Sequence, residues 1–233
     1  MLAPKPVAVM IHGAGGGGWE YKFWQETFEQ KGWEVRAPDM VPSDKGLAKT
    51  SLDDYVSQTI KAAGDARPVV LIGASMGGGL VLMAADKVSP SAIVLVNSTA
   101  PMAVIDEPRA TEDVPDVIRW ANGPLKDTED AMPDSDRETV LWAHKLWRDE
   151  SGMVVRELRK GVDVKKPKCP VLVVISLDDA DVKPELSRKV AAWASADSIE
   201  YAGMSHVGPL LSTRAREVAT TVEAWLAARI GKK

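Results

Sequence analysis

The 233-residue chain predicts an α/β fold, a mostly parallel sheet of about six strands with helices on both faces. Three observations predict it. Short apolar runs recur between Gly, Pro, Asn and Asp, and segments with apolar residues three or four apart separate them. The runs are also apolar throughout instead of alternating with polar residues, as strands covered on both faces are.

In chain order the expected strands are Val7 to Ile11, Trp33 to Ala37, Val69 to Ile72, Ala92 to Val96 and Val171 to Ile175, with a weaker last one from Ser198 to Tyr201. The expected helices are Tyr21 to Lys31, Leu52 to Ala63, Gly77 to Lys87, Pro184 to Ala194 and a closing amphipathic stretch from Thr213 to Ile230. Right-handed crossovers fix the winding. Between residues 98 and 166 the alternation breaks: Pro, Asp and Glu accumulate, and a helical pattern carrying Trp142, Leu146 and Trp147 follows. The expected organisation is a core of residues 1–97 and 167–233, with an inserted helical cap at 98–166 that packs on the strand ends and roofs a cleft.

Hydrophobic residues make up 45% and charged residues 27%, as in ordinary globular chains. The formal net charge of -4 comes from 29 basic and 33 acidic residues that are interspersed, which gives no positive field for a phosphate backbone and excludes nucleic acid as a partner. The start shows no signal peptide and no stretch reaches transmembrane length, so no membrane partner and a cytoplasmic location are expected. Cys169 is the only cysteine, which leaves no internal disulfide; beside Pro170 and a strand it reads as a packing residue. The sequence carries no signal for an oligomeric state.

The segment VVLIGASMGGGLVLMAA places Gly73-Ala74-Ser75-Met76-Gly77 between an apolar strand and a helix, the setting of a GxSxG nucleophile elbow. Glycines two residues either side of the serine let strand and helix pass without a side-chain clash. The turn points the Ser75 hydroxyl out of the carboxyl edge of the sheet, and the Met76 amide at the start of the next helix becomes one donor to an oxyanion.

After the first strand comes His12-Gly13-Ala14-Gly15-Gly16-Gly17-Gly18, whose Ala14 amide is the expected second oxyanion donor, with His12 holding the loop and bordering the pocket. The same loop has an alternative reading. Gly13, Gly15 and Gly18 spell GxGxxG, and Asp39 follows the second strand as a ribose-binding acid does, which would make an NAD(P)-dependent oxidoreductase. Against it, Trp19, Glu20 and Tyr21 crowd the place where a pyrophosphate needs a clear helix start, and GASMGG is left without a role.

A serine hydroxyl needs a base. Of His12, His144 and His206, only His206 lies in a loop after the last strand, where loops of a parallel sheet converge on the edge that carries Ser75. His144 falls in the cap helix. Asp178, Asp179 and Asp181 stand where the strand VLVVIS ends and can supply the acid that orients the imidazole. Their spacing lacks the Gly and distal Glu of a calcium loop, so no metal is expected. Ser75, acid, His206 is the chain order of the Ser, Asp, His triad that accompanies this elbow.

Taken together, IHGAGGGGWEYKFW, GWEVRAPDM and GASMG resemble the α/β-hydrolase superfamily, specifically its small-esterase branch that includes plant methylesterases and hydroxynitrile lyases. The resemblance covers nearly the whole chain. In that superfamily the acid follows a GxxD pattern after its strand and precedes a small hydrophobic residue by three positions; here Ser176 stands in place of the glycine, Asp179 at the acid and Val182 after it, which selects Asp179. The elbow departs in having Ala74 where the family often has histidine, and the sheet lacks the first two strands of larger members. The resemblance implies no metal or organic cofactor.

The expected activity is cleavage of a small carboxylic ester through an acyl-enzyme on Ser75, with His206 as base, Asp179 as its orienting acid and the amides of Ala14 and Met76 around the oxyanion. Trp120, Trp142, Trp147 and Met153 of the cap supply apolar wall for the substrate. Lyase and carbon-carbon bond hydrolysis on the same triad stay open, as does a non-catalytic ligand receptor on the same fold.

Overall fold

The computed structural model describes residues 5–230; residues 1–4, on which part of the signal-peptide reading fell, and residues 231–233 lie outside the described residues. Six parallel strands form one sheet: β1 (Val7–Ile11), β2 (Glu34–Arg36), β3 (Val69–Ala74), β4 (Ala92–Val96), and, after two short strands described below, β7 (Val171–Ser176) and β8 (Asp197–Tyr201). Their order is β2-β1-β3-β4-β7-β8. β1 and β3 pair Val7 with Val69 through Ile11 with Gly73, and β4 continues from β3 with Val70 opposite Ala92.

Alternate residues of the buried strands feed two cores. Val7, Val9, Ile11, Leu71 and Ile93 face one layer, built on α2 (Leu52–Ala63), α3 (Met76–Val88) and, after three further helices, α7 (Pro184–Ala194). Ala8, Met10, Val70, Ile72 and Val94 face the other, where Trp24 and Phe28 of α1 (Lys22–Gln30) meet Val218, Val222 and Leu226 of α9 (Ala215–Ile230). The two-residue period of a strand thus serves both layers, which is why these runs are apolar throughout.

Between β4 and β7 the chain forms β5 (Val117–Ile118), α4 (Leu125–Ala131), α5 (Arg137–His144), β6 (Glu150–Ser151) and α6 (Gly152–Lys160). β5 and β6 make a two-stranded antiparallel ladder, which two-residue strands do not announce in a sequence. A second short helix, α8 (Gly208–Leu211), precedes α9, so the closing helix starts at Ala215 and not at Thr213. Among the described residues no helix is long and apolar enough to cross a membrane.

Because all six strands run the same way, the loops after β1, β3, β4, β7 and β8 share one edge of the sheet. The packing of α3 against that edge is set by glycine. A Cβ on Gly77 would lie 2.0 Å from the Ile11 carbonyl oxygen, and one on Gly73 would lie 2.2 Å from the Gly77 carbonyl oxygen. Both obstacles are backbone, which cannot swing aside. Gly77→Ala is therefore expected to cost at least about 1–3 kcal/mol, read as a lowered midpoint in urea unfolding. Gly123→Ala, where a Cβ would meet its nearest neighbour at 3.4 Å, should stay within about 1 kcal/mol of the parent; equal losses at the two positions would contradict this packing.

Candidate active site

Ser75 occupies the single residue between β3 and α3, at φ 51° and ψ -117°. A non-glycine residue at positive φ carries strain of about 1–3 kcal/mol, held in place only by what surrounds it. Here the surroundings are close: the Ser75 amide donates to the Val96 carbonyl at 3.0 Å, and its carbonyl accepts from the amides of Gly78 and Thr99, each at 3.0 Å. The glycine loop lies against the same serine, since a Cβ on Gly13 would stand 3.3 Å from Ser75 Cβ. The amides of Ala14 and Met76 meet no acceptor among the described residues.

Asp179 and His206 come together from the loops after β7 and β8. His206 Nδ1 lies 2.8 Å from Asp179 Oδ2, with the carboxylate fully buried and the imidazole 14% exposed. The other carboxylate oxygen, Oδ1, accepts from the amides of Asp181 and Val182, each at 2.8 Å, so both oxygens are held. Burial alone lowers the affinity of His206 for a proton, but the Asp179 hydrogen bond and charge, with Asp181 and Glu20 beyond them, outweigh it and raise the pKa above 6.5. Asp178 and Asp181 are exposed. Among the described residues Ser75 Oγ makes no hydrogen bond, and the ring of His206 is bonded to Asp179 alone.

Side chains that the sequence did not single out hold the His206 loop in place. Asn97, the first residue after β4 and at φ 44°, donates from Nδ2 to the His206 carbonyl at 2.7 Å and to Ser176 Oγ at 2.9 Å, while its Oδ1 accepts from the Ser176 amide. It therefore ties the histidine loop to the end of the strand that leads to Asp179. Asp134, from the segment between β4 and β7, accepts from the amide and hydroxyl of Ser205 at 2.9 and 2.7 Å. Asparagine directly after a buried strand was the one signal available, since it tolerates positive φ; nothing in the sequence marks Asp134.

The glycine loop is wired by acids. Gly13 donates its amide to Glu20 at 3.0 Å, Gly15 to Glu150 at 3.0 Å and Gly18 to Asp39 at 2.8 Å. Arg148 closes the other side: its backbone amide donates to the Gly15 carbonyl and its Nε to the Gly16 carbonyl, each at 2.7 Å. The three amides that would face a pyrophosphate are already given to carboxylates, and Asp39 is spent on Gly18 and on an ion pair with Arg148 at 3.5 Å. The loop also leads into a 3-10 turn (Gly18–Tyr21) and not an α-helix. This geometry speaks against the dinucleotide reading.

His12 lies under the loop and is buried, 1% exposed. Its Nδ1 donates to the Gly13 carbonyl at 2.7 Å and its Nε2 accepts from the Met40 amide at 2.8 Å, a pattern that requires the neutral ring; burial pushes its pKa down to about 4. Both nitrogens are used, which corrects the expectation that it borders substrate. Trp142 and Trp147 pack edge-on against Trp19 at centroid distances of 5.4 and 4.9 Å, so much of their surface goes to that cluster. Trp120 covers Gly15 while 42% exposed, and Met153 is half-buried in the first turn of α6. His144 pairs with Thr128 of α4 at 3.1 Å. Cys169 is half-buried, and burial raises its thiol pKa.

Asp179, Asp181 and His206 each offer a ligand atom within 4.8 Å of the others. Asp179 already accepts three hydrogen bonds, one of them from the ring nitrogen a cation would need. An open cleft of about 550 Å³, lined by Asp53, Leu82, Ser89, Lys165 and Cys169 among others, opens near the residues that precede β4 and β7, away from the edge that carries Ser75.

With the parallel sheet, the serine elbow and the buried Asp-His pair, the molecule has the architecture of a hydrolase. The sequence profile of the alpha/beta hydrolase family matches residues 8–221, and the chain belongs to that family. No curated protein is similar enough in sequence to count as a relative. Among solved structures it is similar to a methylesterase from Arabidopsis (18% identity, TM-score 0.72, covering 97% of this chain and 98% of that one). It is also similar to polyneuridine aldehyde esterase (19%, 0.73, 96% and 99%) and to tomato methylketone synthase I complexed with 2-tridecanone (18%, 0.74, 97% and 99%). At such identities the likeness establishes the fold.

Removing the Asp179 charge should lower the proton affinity of His206, because that charge and hydrogen bond are what raise it. In Asp179→Asn, the imidazole resonances followed by NMR across a pH titration should shift at lower pH than in the parent. An unmoved midpoint would contradict the pairing.

Proposed function

We propose that the chain is a serine hydrolase that cleaves a small carboxylic ester through an acyl-enzyme on Ser75. The observation that carries this reading is the buried Asp179–His206 pair at 2.8 Å, on the sheet edge that holds a serine at φ 51°. His206 Nε2 takes the proton of Ser75 as the hydroxyl oxygen attacks the ester carbonyl, and later gives it to the leaving alcohol. Asp179 keeps the proton of the resting ring on Nδ1, so Nε2 is the free base, and stabilises the imidazolium that forms. Water activated by the same nitrogen then cleaves the acyl-enzyme.

The amides of Ala14 and Met76, which have no other acceptor, are the donors that would receive the oxyanion. Among the described residues Ser75 Oγ and His206 share no hydrogen bond; a catalytic contact of this kind tightens in the complex with substrate. Residues 98–166 form the cap: Arg148 and Glu150 bond the glycine loop and Asp134 the histidine loop, so the segment reaches both sides of Ser75. The lone cysteine suits a reducing, cytoplasmic setting.

Two of the similar structures are esterases, which agrees with the acyl-transfer reading, while methylketone synthase has the same fold under a different activity name. A fluorophosphonate should label the wild type stoichiometrically and leave Ser75→Ala unlabelled, and turnover of a short activated ester should fall by on the order of 10⁴-fold or more in Ser75→Ala and His206→Ala. Labelling that survives Ser75→Ala would overturn the assignment.

A further inference from the structure

The tip of the glycine loop is a tight turn. The Gly16 amide donates to the Gly13 carbonyl at 3.2 Å, which puts Ala14 and Gly15 at the two central positions, and Gly15 has φ 71°. Positive φ at the third residue makes such a turn type II, and a flip of the peptide between its central residues would make it type I. Glycine at that place accepts either backbone. The peptide that would flip, between Ala14 and Gly15, adjoins the Ala14 amide.

That peptide is held from outside, by the segment between β4 and β7. Glu150 Oε2 accepts from the Gly15 amide at 3.0 Å, and two residues earlier Arg148 donates its amide to the Gly15 carbonyl and its Nε to the Gly16 carbonyl, each at 2.7 Å. A flip would turn the Gly15 N–H away from Glu150 and bring the Ala14 carbonyl oxygen toward the carboxylate, two negative ends facing each other. Glu150 has no freedom to avoid this. It is 3% exposed, and its Oε1 accepts from the Tyr55 hydroxyl of α2 at 2.9 Å and from the Ser151 amide at 2.7 Å. Tyr55 is buried in the core layer beneath β1, so the bond to Gly15 is anchored more firmly than the loop it holds.

We propose that Glu150 is a positioning residue of the oxyanion site: by holding the Gly15 amide it keeps the turn from Gly13 to Gly16 in one form, and with it the direction of the Ala14 amide. This rests on the reading of Ser75 as nucleophile and of the Ala14 and Met76 amides as oxyanion donors. The cap then does more than roof a cleft, because the side chain that sets a donor of the core is carried by the insertion.

Sulfur accepts hydrogen bonds weakly, so a thiono ester draws little on the donors that serve an oxyanion. The test compares kcat/KM for para-nitrophenyl acetate and its thiono analogue, each relative to its own reaction with hydroxide, in wild type, Glu150→Ala, Glu150→Gln and Ser75→Ala. In Glu150→Ala the oxo ester should lose about 10²-fold, as when an oxyanion donor is removed, and the thiono ester far less, so that the ratio of the two falls at least about tenfold. A brace of the fold alone would lower both rates together, and a smaller fall in the ratio overturns the proposal. If Glu150→Ala does not fold, Glu150→Gln decides. Its single oxygen can accept on the Gly15 side or on the side of Tyr55 and Ser151 but not on both, so the ratio should fall at least about threefold, and a smaller fall overturns the proposal. Turnover that persists in Ser75→Ala, or a wild type that favours the oxo ester no more than hydroxide does, instead defeats the underlying reading.

Discussion

The structure depends on how closely the chain approaches itself at the elbow. The start of α3 runs against the end of β1 with no room for a Cβ at Gly77, and the end of β3 runs against α3 with none at Gly73. A residue between two such contacts has its backbone path prescribed, which is how Ser75 comes to stand at positive φ without relaxing. Its hydroxyl is then presented at the edge where five strand-ending loops meet, and Gly78, packed within 1.9 Å of Ser98 Oγ if it had a Cβ, carries the same constraint to the loop after β4.

A second theme is the use of carboxylates on backbone amides. Glu20, Glu150, Asp39 and Asp179 each accept from main-chain N–H groups around the site. Such bonds fix loops that have no regular secondary structure and satisfy donors that would otherwise be costly to bury. In the glycine loop they also select which amides stay open. Those of Gly13, Gly15 and Gly18 are occupied and that of Ala14 is not, so a loop rich in donors offers very few of them to a ligand.

The buried strands were legible because both of their faces are apolar, and the elbow because its constraint is local: strand, small residue, serine and glycine follow one another within a few positions. The edge strands were harder. β2 shrinks to Glu34–Arg36 and β8 carries exposed Asp197 and Ser198, since an edge strand has one open flank and less need of apolar residues. Three nearby aspartates could not be ranked by composition, and only the family pattern pointed to Asp179, the one whose side chain is buried against His206. The supports of the site were not legible at all. Glu150 reaches Gly15 across 135 residues and Asp134 reaches Ser205 across 71, and no pattern within either segment encodes such a meeting.

The proposed covalent bond between Ser75 Oγ and the acyl group is open to direct observation. Acid-quenched turnover of an activated ester, followed by peptide mapping in a mass spectrometer, should find the acyl mass on the peptide containing Ser75, at higher occupancy when hydrolysis of the intermediate is slow. Finding the acyl group on a different residue, or turnover that proceeds undiminished in Ser75→Ala, would contradict it.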